Sequence, residues 1–250
     1  MKDLNFFSIK HCFEGTIVKK IILKNETYDK LLKYEFSKSN KKLQLYGKRI
    51  SFQEIQYKGD VLLNFAKEKF QFISETDRLV IRPLNNSDYE NWLLAFENRY
   101  PSQNRHDIGK IDMSECTREW FYNLVEKHQS LALTDTAYIF SVFRKEDGAQ
   151  IGMIDFSTLA REDFQWGRLG YTLHNQYWNN GYGREAVKEA LEMACKQLKF
   201  HRIEAHINLD NPSSVKLAES VGMEFECIRK GFIYENEAWT DHLIYVKCSN

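Results

Sequence analysis

The chain predicts an α+β fold: a central, twisted, mixed and mostly antiparallel sheet flanked by helices, behind a small N-terminal α+β extension. Three observations predict it. Between residues 137 and 173 apolar side chains recur with period two in "AYIFSVFRKEDGAQIGMIDFS" and "WGRLGYTLHN", as half-buried strands require. Directly behind them a helical period puts Ala186, Val187, Ala190, Leu191, Ala194, Cys195 and Leu198 on one face. The chain then closes on two further alternating runs, about "MEFECIR" and "WTDHLIYVK", joined by a hairpin near Asn236.

The elements follow in order from residue 75, where the larger part of the chain is expected to begin. "RLVIRPL" alternates Leu79 and Ile81 inward as a strand, and "NNSDYENWLLAF" follows as a helix capped by Asp88 or Ser87. A second helix spans Glu115 to His128, with Trp120, Phe121, Leu124 and Val125 on one stripe. Two strands turn at Glu146-Asp147-Gly148, and a third leads into glycines 181 and 183 ahead of the strongly periodic helix. After it come the strand "RIEAHIN", a short helix with Asn211 as cap, Pro212 at its first position and Gly222 past its end, and the closing hairpin. The order ββ(αα)βββαβαββ is too rich in strands for a dinucleotide-binding fold.

Residues 1–74 read separately: a strand "GTIVKKIIL", a helix about Tyr28 to Phe36, a strand "RISFQEIQY" and a helix from Asp60 through Phe70. Charge marks the same division. The first 74 residues carry 15 Lys and Arg against 8 Asp and Glu, net +7; the other 176 carry 20 against 27, net −7. The basic segment is expected to bind an anionic partner or to dock on the acidic half. Its Lys clusters, Lys19-Lys20 and Lys38 to Lys42, are too sparse for a nucleic-acid footprint, which favours docking through Leu62, Phe65 and Phe70.

The start "MKDLNFFSIKHC" lacks the apolar core of a secretory signal, and no run approaches the ~18 apolar residues of a membrane span, so a cytoplasmic protein is expected, as monomer or homodimer. Five scattered cysteines fit neither a disulfide framework nor a metal pair, and the seven histidines are not at ligand spacing; no metal is implied.

Two short stretches carry chemistry. In "WNNGYGREAV", Gly181 and Gly183 directly follow a strand and open a helix, so they serve either a turn or a backbone cradle for phosphate. In "NPSSV", Asn211 is a helix cap and Ser214 either a first-turn residue or a hydroxyl placed to stabilise negative charge.

Four ordered stretches, "DRLVIRPL", "GYTLHNQYWNNGYGREAV", "NPSSVKLAESVGMEFE" and "YENEAWTDHLIYV", resemble the GNAT superfamily of N-acetyltransferases, in the branch of ribosomal-protein N-terminal acetyltransferases typified by RimJ and RimL. The resemblance covers residues 78 to 250 and none before 75. It implies acetyl-CoA as co-substrate and direct transfer to a primary amine, most simply a protein N-terminus, with a polyamine or aminoglycoside as the alternative acceptor and a catalytically silent acyl-CoA-binding module as the rival from another class. Asn179, Asn180, Gly181, Tyr182, Gly183 and Arg184 would wrap the pyrophosphate behind Trp178, which holds the family motif's first position. Leu173, His174 and Asn175 would pair with pantetheine. Asn211 would contact the CoA arm, and Ser214 would protonate the departing thiolate. Relatives carry a Glu where this chain has Ile233, so the general base stays open among Glu204, His206 and Asp155; Asp241 is expected to be structural.

Overall fold

A computed structural model describes residues 69–249 in full and, before them, the backbone of six strands. The chain divides into two compact units, Met1–Lys69 and Phe70–Asn250.

In the first unit β1 (His11–Phe13) pairs antiparallel with β2 (Thr16–Val18), and β3 (Tyr34–Ser37), β4 (Lys42–Leu45), β5 (Lys48–Tyr57) and β6 (Asp60–Phe65) form an antiparallel sheet in that order. Two helical expectations fail here. Tyr34 to Phe36 lies in β3, the rest of the expected Tyr28 to Phe36 helix falling outside the described residues, and Asp60–Phe65 is a strand. "DVLLNF" is an apolar run too short to declare its own period, and its register with β5, Tyr57 opposite Asp60, makes it the second arm of a hairpin. Of the expected strand at residues 15–23 the described part is β2. The side chains of Leu62 and Phe65 lie outside the described residues.

The boundary falls five residues before the expected one. Phe70 belongs to the second unit: its ring packs on Phe72, Tyr138 and Phe140 at 4.9, 5.2 and 5.7 Å, and its N–H donates to Gln129 Oε1 at 2.8 Å.

The second unit follows the expected element order: β7 (Ser74–Glu75), β8 (Leu79–Arg82), α1 (Tyr89–Glu97), α2 (Arg118–Leu133), β9 (Ala137–Arg144), β10 (Gln150–Ala160), β11 (Trp166–Leu173), α3 (Tyr182–Lys196), β12 (Arg202–Asn208), α4 (Pro212–Ser220), β13 (Glu224–Glu235) and β14 (Ala238–Cys248). Its eight strands lie in the order β13-β14-β12-β11-β10-β9-β8-β7, antiparallel except where β11 meets β12. Asn236 and Glu237 take φ of +48° and +63° and close β13 on β14 as a two-residue hairpin. Asp88 holds the N-cap position of α1, as expected, but its side chain makes no capping bond to that helix; it serves the 3-10 turn before it at Asn86–Asp88, where Asn85 accepts from Ser87 N–H and Asp88 accepts from Asn85 N–H, a capping box.

Alternation along β9 divides the core between the two sheet faces. Phe140 and Val142 join the α3 face, with Ala186, Val187, Ala190, Leu191 and Ala194; Phe143 points the other way, to Trp92 of α1 and to Phe121 and Val125 of α2. Cys195, expected on the buried helical face, is only half-buried, and Met193 is buried instead. Among the described residues no helix is long and apolar enough to cross a membrane, and no three His, Cys, Asp or Glu are grouped to hold a metal ion.

Candidate active site

The parallel pair β11 and β12 stays in register for only four residues, from Trp166 opposite Arg202 to Leu169 opposite Ala205. Beyond these β11 pairs with β10 alone and β12 with β14 alone, so a cleft opens between Gly170–Leu173 and His206–Asn208. Backbone N–H and C=O groups on the inner edges of that cleft have lost their strand partners, which makes them available to an extended ligand.

The strand β11 leads from this cleft into the loop before α3. The loop uses its side chains to hold itself: the Trp178 indole donates to Leu173 O at 2.9 Å, and Asn180 Nδ2 donates to Tyr177 O at 3.2 Å and Trp178 O at 2.8 Å. Asn179 and Gly181 sit at φ +61° and +77°, where glycine costs nothing and asparagine little. Gly181 has no side chain to cap with, and the first intrahelical bond runs from Glu185 N–H to Gly181 O at 3.2 Å. The N–H groups of Tyr182, Gly183 and Arg184 therefore have no helical partner and converge at the positive end of a 15-residue helix, the arrangement that favours phosphate.

Of the two glycines only Gly181 has positive φ. Gly183 lies inside α3, and a Cβ there would stand 2.8 Å from Leu173 Cδ1 and 3.5 Å from Leu217 Cδ2. Its requirement is close packing of helix on strand, not an unusual backbone.

The expected pantetheine positions are largely spoken for. Leu173 O is taken by Trp178, and His174 N–H donates to Ile151 O at 3.0 Å. The His174 imidazole is buried, bonded to Gln150 Oε1 at 2.7 Å and edge-on to Phe96 at 4.6 Å; burial, with Arg99 nearby, brings its pKa down to about 4. Asn175 is buried as well. Its Nδ2 donates to Tyr100 O and Asp107 Oδ2, its Oδ1 accepts from Tyr100 N–H, and Asp107 is paired with buried Arg99 at 2.8 Å, so Asn175 anchors the α1–α2 loop. The open backbone therefore lies one step earlier, at Gly170–Thr172.

Opposite, Asn211 caps α4 by accepting from Ser214 N–H at 3.1 Å. The half-buried Ser214 hydroxyl makes no hydrogen bond among the described residues, and Tyr171 O–H donates to Ser214 O at 3.1 Å, tying α4 to β11 beyond the point where the strands part.

The three base candidates stand on the sheet face opposite α3 and differ sharply in surroundings. Glu204 is 0% exposed and bonded by Arg202, Arg229 and His206; burial alone would raise its pKa, but those bonds bring it down to about 2. Such a carboxylate is a counter-ion and a poor acceptor of an amine proton, and it occupies His206 with a 2.9 Å contact. Asp155 is the reverse case. It has no hydrogen bond among the described residues, and burial raises its pKa against a smaller opposing effect of Arg168. It lies across from Gly170, where a Cβ would come within 2.5 Å of Asp155 Oδ1; the missing side chain makes room for the carboxylate at the mouth of the cleft. Asp241 accepts from Gly231 N–H at 2.8 Å, a strand-bulge contact.

Sequence reasoning missed Arg78, which braces the loop from outside. Its Nε donates to Glu185 Oε2 at 2.7 Å, its Nη1 to Asn180 O at 3.1 Å, and its guanidinium lies 4.5 Å over the Tyr182 ring. The signal was present as an Arg ending a turn and a Glu in the first turn of a helix, but nothing local couples residues 107 apart.

The acetyltransferase (GNAT) domain family matches residues 78–224. An Escherichia coli [ribosomal protein uS5]-alanine N-acetyltransferase is 27% identical over 173 residues, covering 68% of this chain and 87% of the relative. The ribosomal-protein-S5-alanine acetyltransferase structure from Vibrio fischeri superposes with TM-score 0.58 at 24% identity, over 72% of this chain and 97% of that one. Mycobacterium smegmatis RimJ, in complex with CoA-disulfide, superposes with TM-score 0.59 at 17% identity, over 73% and 89%. Because the family match spans more than half of its residues, the chain belongs to the GNAT family of N-acetyltransferases.

Proposed function

We propose that the chain transfers the acetyl group of acetyl-CoA to the α-amino group of a protein or peptide. The observation that carries this reading is the cleft between β11 and β12, which opens beside the uncapped N-terminus of α3. Unpaired strand edges suit the amide-bearing pantetheine arm, and the free N–H groups of Tyr182, Gly183 and Arg184 suit its pyrophosphate. The acceptor class rests on the Escherichia coli relative, whose name gives a ribosomal protein's alanine as its substrate.

In this reading a neutral amine attacks the thioester carbonyl; the N–C bond forms and the C–S bond breaks. Asp155, with its raised pKa, takes the amine proton and later releases it to solvent, and Ser214 donates its hydroxyl hydrogen bond to the departing thiolate, which leaves as the thiol while solvent restores the serine proton. Backbone N–H groups at the strand edge stabilise the developing oxyanion.

The test is a thiol-release screen of the full chain with acetyl-CoA against peptides bearing free N-termini, polyamines and aminoglycosides, with product masses located by fragmentation. Acetyl on peptide α-amines supports the proposal. Transfer to small amines alone overturns the acceptor class, and acetyl-CoA binding without transfer to any amine overturns the catalytic reading.

A further inference from the structure

Both backbone groups of Ser214 are held by side chains, and from two different elements. Its N–H donates to Asn211 Oδ1 at 3.1 Å, a local helix cap, and its C=O accepts from the Tyr171 O–H at 3.1 Å. The second bond is not local. Tyr171 stands on β11, 43 residues away in sequence, and its strand has already parted from β12 after Leu169. The bond therefore runs from the β11 side of the cleft to α4. No other hydrogen bond among the described residues joins residues 170–173 to that helix, so nothing replaces it when it is lost.

Its two ends are anchored independently. Tyr171 is paired with Ile154 of β10, and its side chain, like those of Val215 and Leu217 on α4, packs against the cluster on the α3 face. Burial raises the phenol pKa above its ordinary value of 10, against a smaller opposing effect of the bond to Ser214. The hydroxyl is thus a donor at any pH near neutrality.

What these bonds leave free is the Ser214 side chain. With N–H and C=O both fixed, the direction of Cβ is set, and the hydroxyl oxygen is restricted to the staggered positions of a single torsion. That oxygen makes no hydrogen bond among the described residues, so no side-chain partner chooses its place; the backbone does. For a group that must meet charge as it develops, an error of about 1 Å can cost about 10²-fold in rate.

We propose that Tyr171 is a positioning residue for the transfer step: its hydroxyl, fixed on β11, sets where the Ser214 hydroxyl stands when the thiolate departs. Tyr171 acts through Ser214 alone and gives no hydrogen bond to thioester or amine. The inference rests on the reading of Ser214 as the donor to the thiolate.

The experiment is a double-mutant cycle in the full chain, Tyr171→Phe against Ser214→Ala, with acetyl-CoA and whichever amine the screen finds acetylated. Tyr171→Phe keeps the ring and removes only the donor. Its single-turnover rate should fall about 5- to 100-fold, and by no more than Ser214→Ala costs, with acetyl-CoA Kd and acceptor KM within about twofold. In the Ser214→Ala background the same change should have no further effect, because no hydroxyl remains to be placed. Equal fold-losses in the two backgrounds overturn the proposal, since a merely structural tyrosine would act in both. The loss should also be the same from about pH 6 to 9; a Phe variant whose pH profile changes shape overturns the proposal by making Tyr171 a proton donor or acceptor itself. Wild-type turnover in Ser214→Ala, or a wild-type chain that acetylates no amine, overturns the reading beneath and this inference with it. A defective Ser214→Ala beside an unimpaired Tyr171→Phe overturns this inference alone.

Discussion

Arg78→Ala isolates how much of acetyl-CoA binding depends on a loop held ready. The guanidinium makes a forked contact with Glu185, one bond to Asn180 O and a stack on Tyr182. Its side chain is 47% exposed, so the ion pair is worth about 0.5 kcal/mol after solvent screening. The bond to a carbonyl adds about 1 kcal/mol and the cation–π contact about 0.5. All three act on the loop and the first turn of α3, so their removal should loosen that segment by about 2 kcal/mol. If binding requires the loop in its present shape, with Asn179 and Gly181 at positive φ, the same free energy reappears as a Kd about 30-fold weaker.

Titration calorimetry of acetyl-CoA measures this, and a thermal melt should show a loss of about 4–8 °C in the same variant. Arg78→Lys separates geometry from charge: it keeps the positive charge beside the loop but loses the fork, and should fall between wild type and Ala. A Kd within twofold of wild type in Arg78→Ala refutes the reasoning, because the loop would then hold itself through Trp178 and Asn180. Wild-type affinity in the Lys variant refutes it differently, by assigning the effect to charge on the ligand.

Ser214→Ala should lower kcat roughly 10- to 10³-fold with acetyl-CoA affinity unchanged, measured by steady-state thiol release beside calorimetry; wild-type turnover would reduce Ser214 to a helix-turn residue. Glu204→Gln leaves Arg202 and Arg229 facing an uncharged buried group and should cost about 3–5 kcal/mol in denaturant unfolding, with near-normal kcat in the folded fraction; a stable but inactive variant would instead return Glu204 to the role of base. Stability should also fall as pH drops from about 6.5 to 4. The folded His174 pKa of about 4 lies below the ordinary value of 6.5, so the unfolded chain binds more protons across that window, and about 3 kcal/mol is lost by its lower end. In His174→Gln the melting temperature should be flatter over that range, and an equal slope in both proteins would sink the assignment.

The sequence made the second unit legible because its signals are local and repeated. The helical face from Ala186 to Leu198, the period-two runs and the hairpin at Asn236 each state their own geometry, and the structure keeps their order. Where the period was short the reading failed: Asp60–Phe65 has too few residues to separate a strand from a helix, and pairing with β5 decides it. The 3-10 turn capped by Asn85 ahead of α1 was missed for a related reason: three residues are too few to show a period of their own, and Asp88 was read only as the cap of α1.

Candidate site residues were legible where the proposed role and a local structural duty fall on one residue. Gly181 and Asn211 have local duties, an αL turn and a helix cap, and both stand at the cleft. Glu204 and Asp155 looked alike as strand carboxylates. What distinguishes them comes from other strands: Arg229 on β13 neutralises the first, and the bare Gly170 on β11 makes room for the second, half-buried and without a hydrogen bond among the described residues.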